Sequence, residues 1–347
     1  MKTFSRRDFL KLGGLTLASL AFTSFLPEFS GFEDMDLVRV AKDPVSVYQK
    51  PSDNSTIVHT WPRDSLIHVY DTVLAETPGN NPHWYRVYGG YMNAARLQKV
   101  RIHYNVPLSS LPAGTKVLSE VTVPYTQAYR YNQWEGWFPT YRIYYSSTQW
   151  ITGIDTGPDG KAWYVVQDEA DKNQYYNIPS VQLRPISPAE ITPISPEVPM
   201  GNKRIDVNLS SQTLTCYEYD QVVFTTQVST GVTYLYDTPA KPFSIIVKLP
   251  SRTMSTTSPF ADDVIPLVGV PWTSFVQFRD MDFLGHAFHG TYWHDNFGFP
   301  MSHGCINMRN EDALQLFRWS RPAAGFDDID KQTLDVRKSG TTGEIHY

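Results

Sequence analysis

A short proline-rich segment divides the chain into two parts. Five prolines stand between positions 185 and 199, and successive prolines are at most five residues apart. Proline lacks a backbone N–H and fixes φ, so it is excluded from helix interiors and central strands. We therefore predict that residues 187–202 form a semi-rigid, extended linker or an edge-crossing segment between two folded regions.

The composition of the whole chain favours β-structure. Its 347 residues include 25 prolines and 21 glycines, and 14% are aromatic. Frequent turn residues between short apolar runs are typical of strands, and the length suggests two or three domains. We predict a mainly β fold with one or two short helices. The net charge of −5 and the lack of a basic block argue against a nucleic-acid partner.

A strand pattern occurs twice before the linker. A Trp-Tyr pair that begins at Trp84 recurs 79 residues later at Trp163, and each pair precedes a short return strand and a final apolar residue. The pattern resembles bacterial SH3-like domains, which are small barrels of five or six strands found beside cell-wall enzymes. We predict two such barrels, at residues 37–100 and 104–186.

The N-terminus has the features of an export signal. The stretch from Ser5 to Lys11 contains two adjacent arginines and resembles the twin-arginine motif, and the apolar run Leu12–Leu26 follows it. That run is shorter than the ~20 residues that span a membrane, so it fits the apolar core of a signal peptide. We predict a twin-arginine signal over residues 1–30 and export in the folded state to the cell envelope. The protein stays membrane-anchored only if this segment is not cleaved.

One of the two cysteines lies among histidines. Four of the nine histidines fall within the 20 residues that end at Cys305, whereas Cys216 lies in an alternating strand pattern. A thiol becomes a strong nucleophile when a base takes its proton, so a cysteine with nearby histidines is a candidate site for acyl transfer. We predict that Cys305 is the nucleophile and that Cys216 is an ordinary strand residue.

The residues around Cys305 resemble the signature of L,D-transpeptidases of the YkuD type. That signature is a histidine, a spacer, and then Ser/Thr-His-Gly-Cys-apolar-Asn, and every position from Ser302 to Asn307 matches it after His289. The resemblance covers residues 203–338 and implies a β-sandwich catalytic domain. Enzymes of this family attack a peptidoglycan stem peptide and join it to an amine on a second stem or on a protein.

The resemblance also assigns roles to the catalytic residues. Cys305 is the nucleophile, and His289 is the base that generates its thiolate. The second ring nitrogen of His289 is oriented by the carbonyl of Gly290, which fixes the tautomer without adding charge. His303 lies beside the thiolate and helps to position the acyl group.

Four further residues are predicted to bind the substrate or to shape the loop. The backbone N–H groups of Gly304 and Cys305 are candidates for an oxyanion hole. Ser302 and Asn307 are expected to hold the loop together by hydrogen bonds. For Arg309 two interpretations stay open, namely a bidentate contact with a substrate carboxylate and an exposed salt bridge.

The implied reaction has two steps. The Cys305 thiolate attacks the carbonyl of the third stem residue of a tetrapeptide, and the terminal D-alanine leaves. An acceptor amine then resolves the thioester and forms a cross-link. Water as the acceptor gives an L,D-carboxypeptidase, and a D-amino acid gives exchange. The predicted partners are donor and acceptor stem peptides, with glycan contact through the SH3-like repeats as a further option, and carbapenems are expected to acylate Cys305.

Local patterns predict the elements on both sides of this motif. Residues 204–209 and 214–219 alternate between polar and apolar positions and suggest a hairpin. Asn310 suits a helix N-cap, and the apolar positions from Ala313 to Phe317 supply a helix face.

Three other interpretations compete with this one. His286, His289, His294 and Cys305 contain ligand types for zinc, but no carboxylate completes a second shell, so we predict no metal and no cofactor. A cell-wall cysteine endopeptidase would place its histidine after the cysteine, where only His346 follows, in a tail that we expect to be disordered. In the third, the repeats bind the wall and the last domain has no activity.

Overall fold

The computed structural model describes residues 29, 35–42, 44–79, 81–232, 234, 236–255, 266–322 and 340–347. Apart from Phe29, the predicted signal at residues 1–30 lies outside the described residues, so the export route stays a prediction. Within the described part of the chain, no helix is both long enough and apolar enough to cross a membrane.

The described chain consists mostly of strands, which confirms the mainly β prediction. The first region contains β1 (Leu37–Val40), β2 (Val45–Tyr48), β3 (Ile57–Trp61), β4 (Leu66–His68), β5 (Asp71–Leu74), β6 (His83–Val87), β7 (Gly90–Asn93) and β8 (Leu97–Val100). These strands form a three-stranded sheet in the order β4-β1-β8 and a five-stranded sheet in the order β3-β2-β7-β6-β5. Side chains from both sheets share one apolar core.

The second region is a single sheet. Its strands are β9 (Val117–Val121), β10 (Tyr125–Asn132), β11 (Gly136–Tyr144), β12 (Thr148–Thr156), β13 (Ala162–Gln167), β14 (Tyr175–Pro179) and β15 (Leu183–Pro185). Seven strands are ordered β11-β10-β14-β13-β12-β9-β15. Their inward residues form a second apolar core.

The two regions share a local motif at the predicted repeat. In each, a hairpin (β6–β7 or β13–β14) leads into a short 3-10 helix, Ala94–Arg96 or Ser180–Gln182, and then into a short strand. Trp84 and Trp163 are both fully buried. The assignment of the two regions to SH3-like barrels stays a prediction.

The proline-rich linker is folded and packed, so the expectation of an extended segment is wrong. It contains two 3-10 helices, Pro188–Ile191 and Met200–Asn202, and the first begins with a capping box formed by Ser187 and Glu190. Proline is accepted in a first helical turn because its missing N–H would have no partner there. Ile191 is fully buried in the core of the C-terminal region.

The C-terminal region is an eight-stranded sheet with one helix on it. Its elements are β16 (Lys203–Asn208), β17 (Thr213–Glu218), β18 (Gln221–Gln227), β19 (Pro242–Ser255), β20 (Pro266–Phe278), β21 (Ala287–Gly290), β22 (Ile306–Met308), α1 (Asn310–Trp319) and β23 (Thr342–His346). The sheet order is β18-β17-β16-β23-β19-β20-β21-β22. Helix α1 packs on β20 and β21 and buries Leu316 and Phe317 in the largest apolar core.

The predicted helix is confirmed, but its first residue is shifted by one position. Asn310 is the first helical residue, and Arg309 occupies the N-cap position without a side-chain cap hydrogen bond. The Asn310 side chain packs against the backbone at Gly290 instead, so it is not in a position to cap the helix.

The C-terminal tail is a central strand, so the expectation that the tail around His346 is disordered is wrong. Strand β23 pairs in parallel with β16 and antiparallel with β19. Ile345 is buried in the core, and His346 Nε2 lies 3.1 Å from an Asp206 carboxylate oxygen. Because the strand pairs with residues far away in sequence, the local pattern of the tail carries no sign of this pairing.

Candidate active site

Two parallel neighbouring strands bring His289 and Cys305 to one side of the sheet. In the register of β21 and β22, Phe288 pairs with Ile306 and His289 pairs with Asn307. Phe288 and Ile306 lie in the core that α1 covers, and side chains alternate between faces along a strand. His289, and Cys305 just before Ile306, therefore lie on the face opposite to α1.

His289 is buried and its ring is oriented by the backbone. Its Nδ1 lies 2.9 Å from the carbonyl oxygen of Gly290, the contact that the resemblance implies. A carbonyl only accepts, so Nδ1 carries the proton and Nε2 is the basic nitrogen. Burial lowers the pKa of His289 to about 4, and the hydrogen bond to Gly290 acts in the opposite direction. The imidazole is therefore uncharged at neutral pH and able to accept a proton.

Gly290 also permits the close approach of the helix. A Cβ at this position would overlap the Asn310 side-chain oxygen and crowd the Pro271 ring. An alanine at position 290 would therefore have to displace the Asn310 side chain and the Pro271 ring.

The turn before Cys305 is closed by its own hydrogen bonds. Ser302 Oγ donates to the carbonyl oxygen of Cys305 at 2.5 Å and accepts from the N–H of Gly304 at 3.1 Å. Gly304 has a φ of +108°, which favours glycine, and a Cβ there would overlap the His286 ring. The sequence therefore needs both serine and glycine at these positions to present the cysteine in this conformation.

The Cys305 thiol is neutral at neutral pH. Desolvation raises the pKa of Cys305 to about 11, and a hydrogen bond from the backbone N–H of Ala287 acts in the opposite direction. The residue is half-buried. A neutral thiol becomes a strong nucleophile when a base takes its proton, which is the role that the resemblance implies for His289.

A segment about seventy residues earlier holds this turn from the other side. Thr238 Oγ1 accepts from the N–H of Gly231 and donates to the carbonyl oxygen of Gly304, both at 2.8 Å. Ser229 exchanges two backbone hydrogen bonds of 2.9 Å with Asn307. Thr238 carries no sequence signal for a place in the site, since a threonine before a proline has no chemical signature.

His303 is exposed at the turn, whereas Gly304 is buried within it. The His303 side chain is exposed, and its ring packs edge-on against Tyr236 with centroids 4.2 Å apart. Desolvation lowers the pKa of His303. The Gly304 N–H is engaged by Ser302 within the turn, so its role as an oxyanion donor stays a prediction.

Arg309 forms the salt bridge that the sequence left as one of two alternatives. Its guanidinium lies 3.6 Å from the Asp312 carboxylate and 4.8 Å from the centre of the Phe297 ring. A contact with a substrate carboxylate stays a prediction.

His294 and Asn296 form a buried network next to Asn307 that has no sequence motif of its own. The N–H of Asn296 donates to His294 Nδ1 at 3.2 Å, and His294 Nε2 lies 2.9 Å from the Asn307 amide. Burial lowers the pKa of His294 to about 3. Asn307 is thereby held on both its backbone and its side chain.

The first β region anchors the loop after β21, residues 291–299. Tyr85 Oη donates to the Asp295 carboxylate at 2.7 Å. Arg39 is fully buried, donates to the carbonyl oxygen of Tyr292 at 2.9 Å and forms an ion pair with Asp64 at 2.8 Å. These contacts join the N-terminal part of the chain to the loop that covers His289.

The histidines of the competing interpretations make contacts of their own. Among the described residues, no group of three or more His, Cys, Asp or Glu side chains is arranged to hold a metal ion. His286 packs edge-on against Phe278, with ring centroids 5.3 Å apart. His346, the histidine after Cys305, contacts Asp206 on the β16 side of the sheet.

A family comparison covers this region of the chain. Residues 202–336 match the YkuD family, whose members carry the L,D-transpeptidase catalytic domain. The C-terminal region is therefore similar to L,D-transpeptidase catalytic domains. The matched stretch contains every predicted site residue between His289 and Arg309.

Similarity to individual proteins is limited to part of the chain. A Bacillus licheniformis protein, provisionally named L,D-transpeptidase YkuD, is 32% identical over 113 residues, which are 33% of this chain and 57% of that protein. A solved L,D-transpeptidase from Stackebrandtia nassauensis is 23% identical over 42% of this chain and 56% of its own, with a TM-score of 0.28. The catalytic domain of an E. faecium L,D-transpeptidase is 23% identical over 41% of this chain and 95% of that domain, with a TM-score of 0.29. The chain thus spans little more than half of the curated relative.

Proposed function

We propose that the chain is a peptidoglycan L,D-transpeptidase with Cys305 as its nucleophile. The observation that carries the proposal is the placement of His289 and Cys305 on one sheet face by two adjacent parallel strands. The Ser-His-Gly-Cys turn and the family match over residues 202–336 support it. The neutral imidazole and the neutral thiol are in the protonation states that base-assisted attack requires.

In the first step, the Cys305 sulfur attacks the carbonyl carbon of the third residue of a tetrapeptide stem. His289 Nε2 takes the thiol proton as the C–S bond forms. The C–N bond to the terminal D-alanine then breaks, and His289 returns the proton to the leaving amine. The product is a thioester on Cys305 and free D-alanine.

In the second step, an acceptor amine attacks the thioester. The new C–N bond forms, the C–S bond breaks, and the amine proton passes through His289 to the sulfur. Backbone N–H groups of Gly304 and Cys305 are the proposed donors to the oxyanion in both steps. For Gly304 this requires that its hydrogen bond to Ser302 be exchanged for one to the substrate.

The proposed substrate lies outside the cytoplasmic membrane, and this agrees with the export signal predicted for residues 1–30. The twin-arginine route, the cell-envelope location and a glycan contact through the two β regions are parts of the same proposal. Water in place of the amine would give L,D-carboxypeptidase activity from the same thioester.

Product analysis tests the proposed function. The exported protein is incubated with a disaccharide tetrapeptide, alone and with an amine acceptor, and the muropeptides are separated and weighed. Cross-linked dimers with release of D-alanine support transpeptidation, and tripeptide without dimers identifies the carboxypeptidase. Unchanged tetrapeptide under reducing conditions, with folded protein, would contradict both.

A further inference from the structure

A cavity of about 420 Å³ lies between the second β region and the sheet that carries the proposed nucleophile. Its apolar floor is formed by Val247 and Leu249 on β19 and by Phe275 on β20. The facing wall comes from Trp150 and from the loop at residues 167–172. The volume is within the range of sites that bind small molecules or peptide segments, roughly 300–1,000 Å³.

The floor of this cavity is continuous with the face of the sheet that carries Cys305. Val247 pairs with Phe275, and Phe275 pairs with Ala287, so their side chains lie on one face. The backbone N–H of Ala287 contacts the Cys305 thiol. One strand, β21, therefore separates the cavity floor from the thiol.

The two walls of the cavity are fixed to each other. Thr148 Oγ1 donates to the carbonyl oxygen of Pro250, and Ser251 Oγ donates to the carbonyl oxygen of Thr148, both at 2.7 Å. Thr148 and Ser251 are buried. The cavity is therefore preformed, and a ligand would not have to order its walls.

The charged side chains that line the cavity carry a net charge of +1. Glu169 is engaged by Arg252 at 2.8 Å and by the N–H of Thr253 at 2.8 Å. Asp168 accepts from the N–H groups of Ala170 and Asp171. The other two charged lining residues are Lys116 and Lys172, and within the described ranges neither ammonium group has a hydrogen bond or an ion pair.

We propose that this cavity is a subsite for a carboxylate-bearing part of the stem peptide, with Lys116 and Lys172 as its cationic contacts. The apolar floor would contact the aliphatic atoms of the peptide, while the two ammonium groups attract the carboxylate. The inference rests on the proposed function, because the carboxylate belongs to a stem peptide bound at Cys305. That stem is the donor or the acceptor, and the experiment separates the two.

The test removes both ammonium groups and retains much of their aliphatic length. Lys116→Met/Lys172→Met is compared with Lys50→Met/Lys161→Met, which removes the same charge from exposed positions outside the cavity. KM is measured for the donor and for the acceptor in turn, each with its stem carboxylate free or amidated. Release of D-alanine at saturating donor reports the chemistry separately.

We expect KM for one of the two free-carboxylate stems to rise about five- to tenfold in the cavity variant, as for the loss of two ion pairs. The kcat for D-alanine release, the KM for the amidated stem and the control variant should be unchanged. The stem that responds identifies the occupant. Equal KM values for both stems in the cavity and control variants would overturn the proposal.

A binding measurement keeps the subsite testable if the proposed function fails. Cys305→Ala protein, with and without the two cavity substitutions, is titrated calorimetrically with free and amidated tetrapeptide. Tighter binding of the free form that depends on the two lysines supports the subsite even without turnover. Binding that does not respond to the lysines or to amidation contradicts it.

Discussion

Cys216 lies on a strand of the C-terminal sheet and Cys305 directly precedes another strand of it, but their surroundings differ. Cys216, on β17, is 1% exposed and packs in the apolar core with Ile205 and Leu214. Cys305 follows a polar glycine turn and shares a sheet face with His289. Burial raises the pKa of both thiols. Burial and thiol pKa therefore do not distinguish the proposed nucleophile from Cys216, whereas the histidine on the same sheet face and the glycine turn do.

The largest expected difference is in acyl transfer. Cys305→Ala should lower kcat by roughly 10⁴-fold or more, because it removes the sulfur atom of the proposed thioester. Cys216→Ala should leave kcat within about twofold, as a substitution far from the reacting atoms. D-alanine release by the two purified variants measures both values. Loss of activity in Cys216→Ala protein with a native fold would remove the distinction.

The second expected effect concerns the base beside Cys305. His289→Gln should lower kcat/KM by about 10²- to 10⁴-fold, since the thiol proton would have no acceptor. Because His289 accepts a proton only when neutral and its pKa is lowered to about 4 by burial, kcat/KM of the wild type should fall only as pH drops towards 4. The pH profile of D-alanine release measures this limb. A fall centred near pH 6.5 would contradict a buried neutral imidazole.

The third expected effect is a loss of activity at Cys305 when a contact from the first β region is removed. Tyr85→Phe removes the hydrogen bond to Asp295, one of the contacts that hold the loop that carries His294, so we expect kcat to fall by about tenfold. Tyr91→Phe, in the same region, is the control and should leave kcat unchanged. A positioning role also predicts that the rate of Cys305 alkylation at fixed pH changes in Tyr85→Phe but not in Tyr91→Phe. Equal alkylation and turnover in the two variants would limit Tyr85 to a structural contact.

The smallest effect belongs to Cys216 and is one of stability. Cys216→Ala should reduce the free energy of unfolding by about 1 kcal/mol, because it leaves a small cavity in a packed core. Denaturant unfolding of the isolated variant measures it. A much larger loss would give this cysteine a structural role beyond packing.

The elements with local signals could be predicted from the sequence. The alternation at residues 204–209 indicates β16, and the apolar positions from Ala313 to Phe317 indicate α1, within one or two residues. The motif from Ser302 to Asn307 is a run of adjacent residues. The hydrogen bonds of Ser302 Oγ with Gly304 and Cys305 therefore lie within the motif itself. These features are local because both partners lie in the same short window.

Contacts between distant parts of the chain could not be predicted. Tyr85 and Asp295 are 210 residues apart, and Thr238 meets Gly304 across 66 residues. Strand β23 lies in the centre of the sheet, although Ile345 is its only buried apolar residue. Such pairings are decided by the order of strands in the folded sheet, and a single sequence without a local pattern does not specify that order.

Mass analysis of the trapped intermediate tests the central claim most directly. Wild type, Cys305→Ala and Cys216→Ala proteins are incubated with tetrapeptide, or with a carbapenem as an acylating probe, then weighed intact and mapped by peptide digestion. We predict one acyl adduct on the peptide that contains Cys305 in the wild type and in Cys216→Ala, and no adduct in Cys305→Ala. An adduct that persists in Cys305→Ala, or one that maps to Cys216, would contradict the assignment of the nucleophile.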